Sequence, residues 1–293
     1  PEGSDNKHTM YEGNAGVKLK GINRLLYAIK ERDYKILISN NINSDSRIIM
    51  YRNIKERVKK IATFIKYDDD PYIVLSEDGK LYWIIDGYTV TDKYPYSKPY
   101  SEESSVNYIR NSVKVVIDAY NGTTKFYVFD GEDPIIQTYM NIFPELFLDS
   151  KEMPEGLKSH VRYPITLFNI QAEVYRTYHV DNPIVFYNEE DLWDIAKEKY
   201  MSEELQVEPT YAMFKLPHEE DIEFLLTIPY TPKTKSNMTS FFVARNDGED
   251  YGKLFIYKFP KGKTVDGPNM VESRIDTNTS ISEELTLWSQ QGS

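Results

Sequence analysis

Hydrophobic positions recur along this chain with two periods, and the switches between them divide it into blocks. Ile22, Leu25, Leu26 and Ile29 recur at helical spacing. Tyr51, Ile54, Val58, Ile61 and Ile65 step by three and four, which predicts a longer helix with one buried stripe and Ser44 or Asp45 as its N-cap. Pro71 closes this block by driving Asp70 out of the α region. Period two then takes over. Tyr72 to Leu75 and Leu81 to Tyr88 flank "SEDGK", while Val113 to Tyr120 and Lys125 to Phe129 flank Asn121-Gly122, where a type I′ turn requires positive φ at both central residues. The Pro- and Ser-bearing "DKYPYSKPYSEESS" between the hairpins reads as surface loop.

Asp133-Pro134 predicts a capped helix start, with Ile136, Tyr139 and Phe143 on one face. A second helix is expected from Pro164, carrying Phe168, Ala172 and Tyr175, and a short third at "NEEDLWDIAKEKY". From Pro209 onward, Tyr211 to Leu216, Phe224 to Tyr230, Ser240 to Arg245 and Lys253 to Phe259 read as four strands, and "ISEELTLW" as a late helix. Because helices and strands come in blocks rather than alternating, the expected class is α+β, with mainly antiparallel sheets packed on segregated helices. Residues 1–15 read as a flexible arm and 16–293 as one domain: helical over 16–66, hairpins over 70–130, helical over 132–205, strands over 209–260, then a polar tail over 261–293.

Composition narrows the function. At 293 residues the chain can bury a sizeable core, and no run approaches the ~18–20 apolar residues of a membrane span. The formal net charge of −11 repels phosphate backbones, so no nucleic-acid partner is expected. The cationic "KERVKK" reads as the solvated face of its helix. Cysteine is absent, which removes thiolate ligands, disulfides and cysteine nucleophiles together. "PEGSDNKHTM" carries no initiator Met and no signal or transit pattern, and reads as a processed start.

The motifs for P-loops, dinucleotide sites, nucleophile elbows and zincins do not occur. His8, His160, His179 and His218 lie far apart with no second ligand at metal spacing, and His179 reads as a partner for a helix C-terminus. No metal site and no cofactor is expected. The most specific internal feature is a near-repetition, "IIDGYT" and "VIDAYN", in which alternation puts Asp86 with Tyr88, and Asp118 with Tyr120, on one face of each strand. If the strands lie side by side the two carboxylates can converge, to divide acid and base roles or to accept sugar hydroxyls while Trp83 and the tyrosines supply aromatic surface. Each Asp equally suits a strand end bonded to turn amides or paired with a cation, and each Tyr a packed ring with a wet hydroxyl. "DGED" occurs twice after strands without EF-hand spacing, so its Gly is read as serving a turn. The 24 tyrosines favour an interaction surface, and "YPYSKPY" suits either such a surface or a stiff loop packed on its own domain.

Several stretches, taken in order, resemble one family: "SRIIMYRNIKERVKKIATFI", "DPYIVLSEDGKLYWIIDGYTVTDKYPYS", "NYIRNSVKVVIDAYNGTTKFYVFD", "DPIIQTYMNIFPELF", "VRYPITLFNIQAEVYRTYHVDNPIVFYNEEDLW", "NDGEDYGKLFIYKFP" and "LTLWSQQGS". The family is the bacterial multi-pass membrane proteins of uncharacterised protein family 0182. The resemblance implies a soluble C-terminal region tethered to a transmembrane half, at the cell membrane and on its outer side. It assigns no catalytic residues.

The expectation is therefore an extracytoplasmic domain that binds a cell-envelope glycan or protein, with Asp86, Tyr88, Asp118, Tyr120 and Trp83 as candidate ligand-binding residues and the transmembrane half of the same protein as partner. The alternatives are a hydrolase of envelope polymers using the paired carboxylates, and a structural domain that supports assembly of the membrane half.

Overall fold

The computed structural model describes residues 11–200, 203–217, 219–260 and 262–291. Within these the chain is α+β, and its main sheets pair mostly antiparallel. Contacts cluster in two compact units, one running to Thr91 and joined by Tyr108–Lys158, the other made of Asp92–Asn107 and the chain from Ser159 onward, where the sequence blocks read as one domain.

The first unit is built on the long strands β3 (Leu81–Thr91) and β4 (Tyr108–Asp118). β1 (Lys66–Tyr67) and β2 (Tyr72–Leu75) pair antiparallel with β3. β5 (Thr124–Val128) continues the sheet beyond β4, and β6 (Phe147–Asp149) joins β5 in parallel. The unit also holds α1 (Ile22–Glu31), α2 (Lys35–Ile38), α3 (Ile54–Ile61), α4 (Pro134–Ile142) and a single turn at Glu155–Lys158. Alternation sends Ile85, Val113, Val115, Ile117, Phe126 and Val128 to one face, where they form the core with Val58 of α3 and Ile136 of α4. Residues 11–15 dock on the β4–β5 turn: the Tyr11 ring lies 4.9 Å from Tyr120, and the Asn14 amide donates to Asn121 at 3.0 Å. Residues 1–10 of the expected arm lie outside the described residues.

The second unit centres on β9 (Ile222–Pro232), paired with β7 (Trp193–Ile195) at one end and β8 (Thr210–Lys215) at the other. On its far side come β10 (Ser240–Arg245) and β11 (Leu254–Lys258). One face is covered by α5 (Ile165–Tyr178), whose Phe168 stacks on Phe242 at 4.8 Å and whose Ala172 carbonyl accepts the Tyr230 hydroxyl at 2.7 Å. All four late strands stand where period two places them.

Three local expectations are corrected. The helix after "NNINSDS" starts at Ile54, capped by Asn53, whose side chain accepts the Lys55 and Glu56 amides at 3.0 and 3.2 Å, so Ser44 and Asp45 lie too early. Of its expected stripe, Val58 and Ile65 are buried, whereas Tyr51 and Ile61 are exposed. The turn at Asn121-Gly122 is not type I′: only Gly122 has positive φ, at 71°, and its amide bonds the Asp118 carbonyl in a wider loop. The segment "NEEDLWDIAKEKY" is not a helix. The helix lies upstream at Pro183–Tyr187, Glu189 and Asp191 have left-handed backbone, and Trp193 and Ile195 are buried on a strand. Burial of Trp193 overrides the helix propensity of the Glu, Lys and Ala around it.

Candidate functional site

β3 and β4 are neighbours, as the paired-carboxylate reading requires, but they run antiparallel. Two similar motifs at the same end of antiparallel strands are carried apart: Asp86 faces Lys114, and Asp118 faces Tyr82. The two aspartates share a face yet are four residues apart along the ladder, about 13 Å at the usual strand rise. The expected convergence does not occur.

Each of the five residues has a local role. Asp86 is buried and ion-paired with the equally buried Lys114. Burial pushes the Asp86 carboxyl above its ordinary value, more strongly than the Lys114 ammonium pulls it down. Tyr88 is buried and donates to Asp68, which also accepts the Asp70 amide at 2.8 Å. Asp68 is thus part of the interior. Asp118 caps its turn, accepting the Tyr120 and Asn121 amides at 2.7 and 2.9 Å. The Tyr120 hydroxyl accepts the Glu12 amide at 3.0 Å, and Trp83 packs on the core against the opposite face.

A second polar cluster forms on the helix side of the same sheet. β4 carries one extra residue opposite Tyr88, between the pairs Gly87 with Val113 and Thr89 with Arg110. This bulge brings Ser112 and Tyr108 to the face where α4 begins. There Asp133 accepts from Tyr108 and Ser112, both at 2.7 Å, from Thr89 at 2.5 Å, and from the Ile135 and Ile136 amides at 3.1 and 3.3 Å. Burial raises the Asp133 pKa, but the hydrogen bonds outweigh it and hold the carboxyl below its ordinary value. Burial, with the bond to Asp133, pushes the Tyr108 hydroxyl up to about 12. The Asp-Pro signal gives the cap in sequence, whereas its three hydroxyl partners depend on the bulge.

An open apolar groove lies in the second unit, on the face of its sheet turned away from α5. Leu225 and Val243 form a buried floor, with Thr227 and Phe241 beside them in register and Tyr257 and Phe255 on β11. Phe214 and Pro217 complete a groove of about 370 Å³. One end is polar: Arg245 holds Glu223 at 2.5 Å, Asp250 at 2.7 Å and Glu219 at 3.4 Å, with its guanidinium 5.8 Å from the Phe255 ring. The carboxylates at that end are thus already engaged. Period two identifies these strands, but not which face a helix covers.

Both "DGED" turns use their acids internally. Asp130 pairs with Arg110 at 3.1 Å and Asp133 caps α4, while Asp247 accepts the Phe224 amide at 2.7 Å and Asp250 pairs with Arg245. No group of three His, Asp or Glu residues suited to a metal ion occurs among the described residues. His179 caps α5, with Nδ1 2.9 Å from the Arg176 carbonyl and its ring stacked on Trp193 at 3.8 Å. Its Nε2 is buried with no hydrogen-bond partner among the described residues. His8 and His218 lie outside them. No helix among the described residues is long and apolar enough to cross a membrane.

The sequence profile of the Uncharacterised protein family (UPF0182) matches residues 1–288. The chain belongs to this family. A UPF0182 protein of Alkaliphilus metalliredigens is 58% identical over 293 residues, covering 100% of this chain and 31% of that relative. UPF0182 proteins of Pelotomaculum thermopropionicum and Trichodesmium erythraeum are 51% and 46% identical, with 32% and 34% of their lengths covered. The chain thus spans about a third of the length of these UPF0182 relatives, and belongs to a larger protein. No solved structure matches it.

Proposed function

We propose that this part of the UPF0182 protein is an extracytoplasmic binding module, tethered through the rest of the chain to the membrane, and that its ligand is an acyl chain of an envelope lipid. The observation that carries the reading is the groove over Leu225 and Val243. It has aromatic walls, and its volume of about 370 Å³ falls within the range of small-molecule sites. A glycan needs several free polar partners beside an aromatic platform. Here the acids at the groove's end are engaged by Arg245, which leaves an apolar floor better suited to a hydrocarbon chain.

The experiment is titration of the chain with a fluorescent fatty acid. Saturable binding that is lost in Thr227→Trp, which fills the groove, and weakened in Phe241→Ala supports the reading. Absence of saturable binding, or equal binding by Thr227→Trp, overturns it. A hydrolase working through Asp86 and Asp118 has little support, because a spacing of about 13 Å exceeds the ~5–9.5 Å of paired-acid glycosidases.

A further inference from the structure

Helix α1 is amphipathic, and its apolar stripe faces outward. Ile22, Leu25, Leu26 and Ile29 lie on one side and are 71%, 47%, 54% and 65% exposed, while the buried residue of the helix is the small Ala28. The next turn extends the patch with Tyr34 and Ile38, 67% and 68% exposed. This is a fixed surface. Arg24 closes α1 on α2, donating to the Ile36 and Ser39 carbonyls at 2.6 and 2.9 Å, and buried Leu19 anchors the entry. A contiguous apolar patch on a preformed element marks a contact site, since its solvation is unfavourable and nothing within the hairpin relieves it.

Charge identifies the occupant. Residues 17–39 carry six cations, Lys18, Lys20, Arg24, Lys30, Arg32 and Lys35, against Glu31 and Asp33, in a chain of net charge −11. Arg24 is engaged by carbonyls and Lys18 pairs with Asp45 at 3.7 Å, whereas Lys20, Arg32 and Lys35 are exposed and in no ion pair among the described residues. A second copy of the chain would bring this cationic rim against itself across a two-fold interface, where like charges repel. Apolar residues ringed by Lys and Arg complement a surface that is hydrocarbon below and anionic above.

We propose that the α1–α2 hairpin seats on an anionic lipid bilayer surface, with Ile22, Leu25, Leu26 and Ile29 entering the acyl boundary and Lys20, Arg32 and Lys35 meeting headgroup phosphates. The contact is peripheral and reversible, and it does not depend on the groove of the second unit.

Vesicle flotation of the 293-residue chain tests it, with phosphatidylglycerol-rich against pure phosphatidylcholine vesicles. The chain is expected to float with the anionic vesicles, at least about tenfold more than with the zwitterionic ones, and to be released by high salt. Ile22→Ser with Leu26→Ser, at exposed positions, is expected to leave the thermal midpoint unchanged and lower partitioning about tenfold or more. Lys20→Gln with Lys35→Gln should remove the anionic preference. Thr227→Trp should float as the parent chain does, which separates this contact from acyl binding in the groove. Failure to float with either vesicle, or flotation unaffected by the serine pair, overturns the proposal. So does a serine pair whose only effect is to abolish self-association, which would make the patch a protein interface.

Discussion

Lys114 donates to Asp86 across the central strand pair of the first unit, and both side chains are inside the fold. Lys114→Met leaves the Asp86 carboxylate without its ammonium partner and is expected to cost about 3–5 kcal/mol by urea denaturation. Asp86→Leu combined with Lys114→Met should recover most of that loss, because a matched apolar pair removes the uncompensated charge. A double variant as unstable as Lys114→Met alone would show that the pair is not the unit of stability.

Asp133 supplies a pH dependence of known sign. Its depressed folded pKa means that its contribution is fully present above the ordinary carboxylate value of 3.8 and is lost as pH falls through the folded value. Asp133→Asn keeps an N-cap but removes the charge, so its stability should fall less steeply on the acid side than that of the parent chain. Asp133→Ala loses the cap and strands the buried Thr89 and Ser112 hydroxyls, at a cost of about 3 kcal/mol. Denaturation midpoints across the acid range would reveal both effects.

Gly122 and Gly79 form a matched pair of turn glycines, with φ of 71° and 77°. A Cβ at Gly79 meets open space, whereas at Gly122 it would lie 2.7 Å from Arg57 Nη2, beside the bond from Arg57 Nε to the Gly122 carbonyl at 2.7 Å. Gly79→Ala should cost about 1 kcal/mol from backbone conformation alone. Gly122→Ala should cost about 1 kcal/mol more, as the displaced guanidinium gives up that bond. Equal losses would mean that Arg57 moves aside freely.

This part of the protein carries no cysteine, so a thiol introduced here reports its sidedness once any cysteine elsewhere in the intact protein has been replaced. Lys98, exposed in this chain, is changed to Cys in the intact UPF0182 protein, and the thiol should react with a membrane-impermeant maleimide added outside whole cells. Reaction only after lysis would place this region on the cytoplasmic side and remove the extracytoplasmic part of the proposed function.

Much of the strand layout is legible in the sequence because burial on one face forces a two-residue alternation. The hairpin at "SEDGK" and the four late strands follow from it, and the Asp133 cap follows from the Asp-Pro pair. Residues whose role depends on distant chain are less legible. Trp193 takes its strand from pairing with Pro232, some forty residues on, against a local propensity for helix. The two Asp-Tyr motifs look alike only along the sequence, because antiparallel pairing sets their aspartates four residues apart along the ladder. The groove was missed because alternation locates two faces on every strand without saying which one a helix will cover. The only prior signal was the aromatic content of β10 and β11, which a buried core would share.

The extra residue in β4 reverses the side on which everything before it emerges. Removing Asn111 would restore strict two-residue rhythm: Arg110 and Tyr108 would keep their places opposite Thr89 and Thr91, while Ser112 would come opposite Tyr88 and turn to the other surface. The start of α4 would lose the Ser112 hydroxyl from the Asp133 cap, while Thr89, Tyr108 and the Arg110 partner of Asp130 would stay on their present face. A one-residue deletion there should therefore be felt chiefly at the cap of α4, and chain length at this point is as much a part of the fold as residue identity.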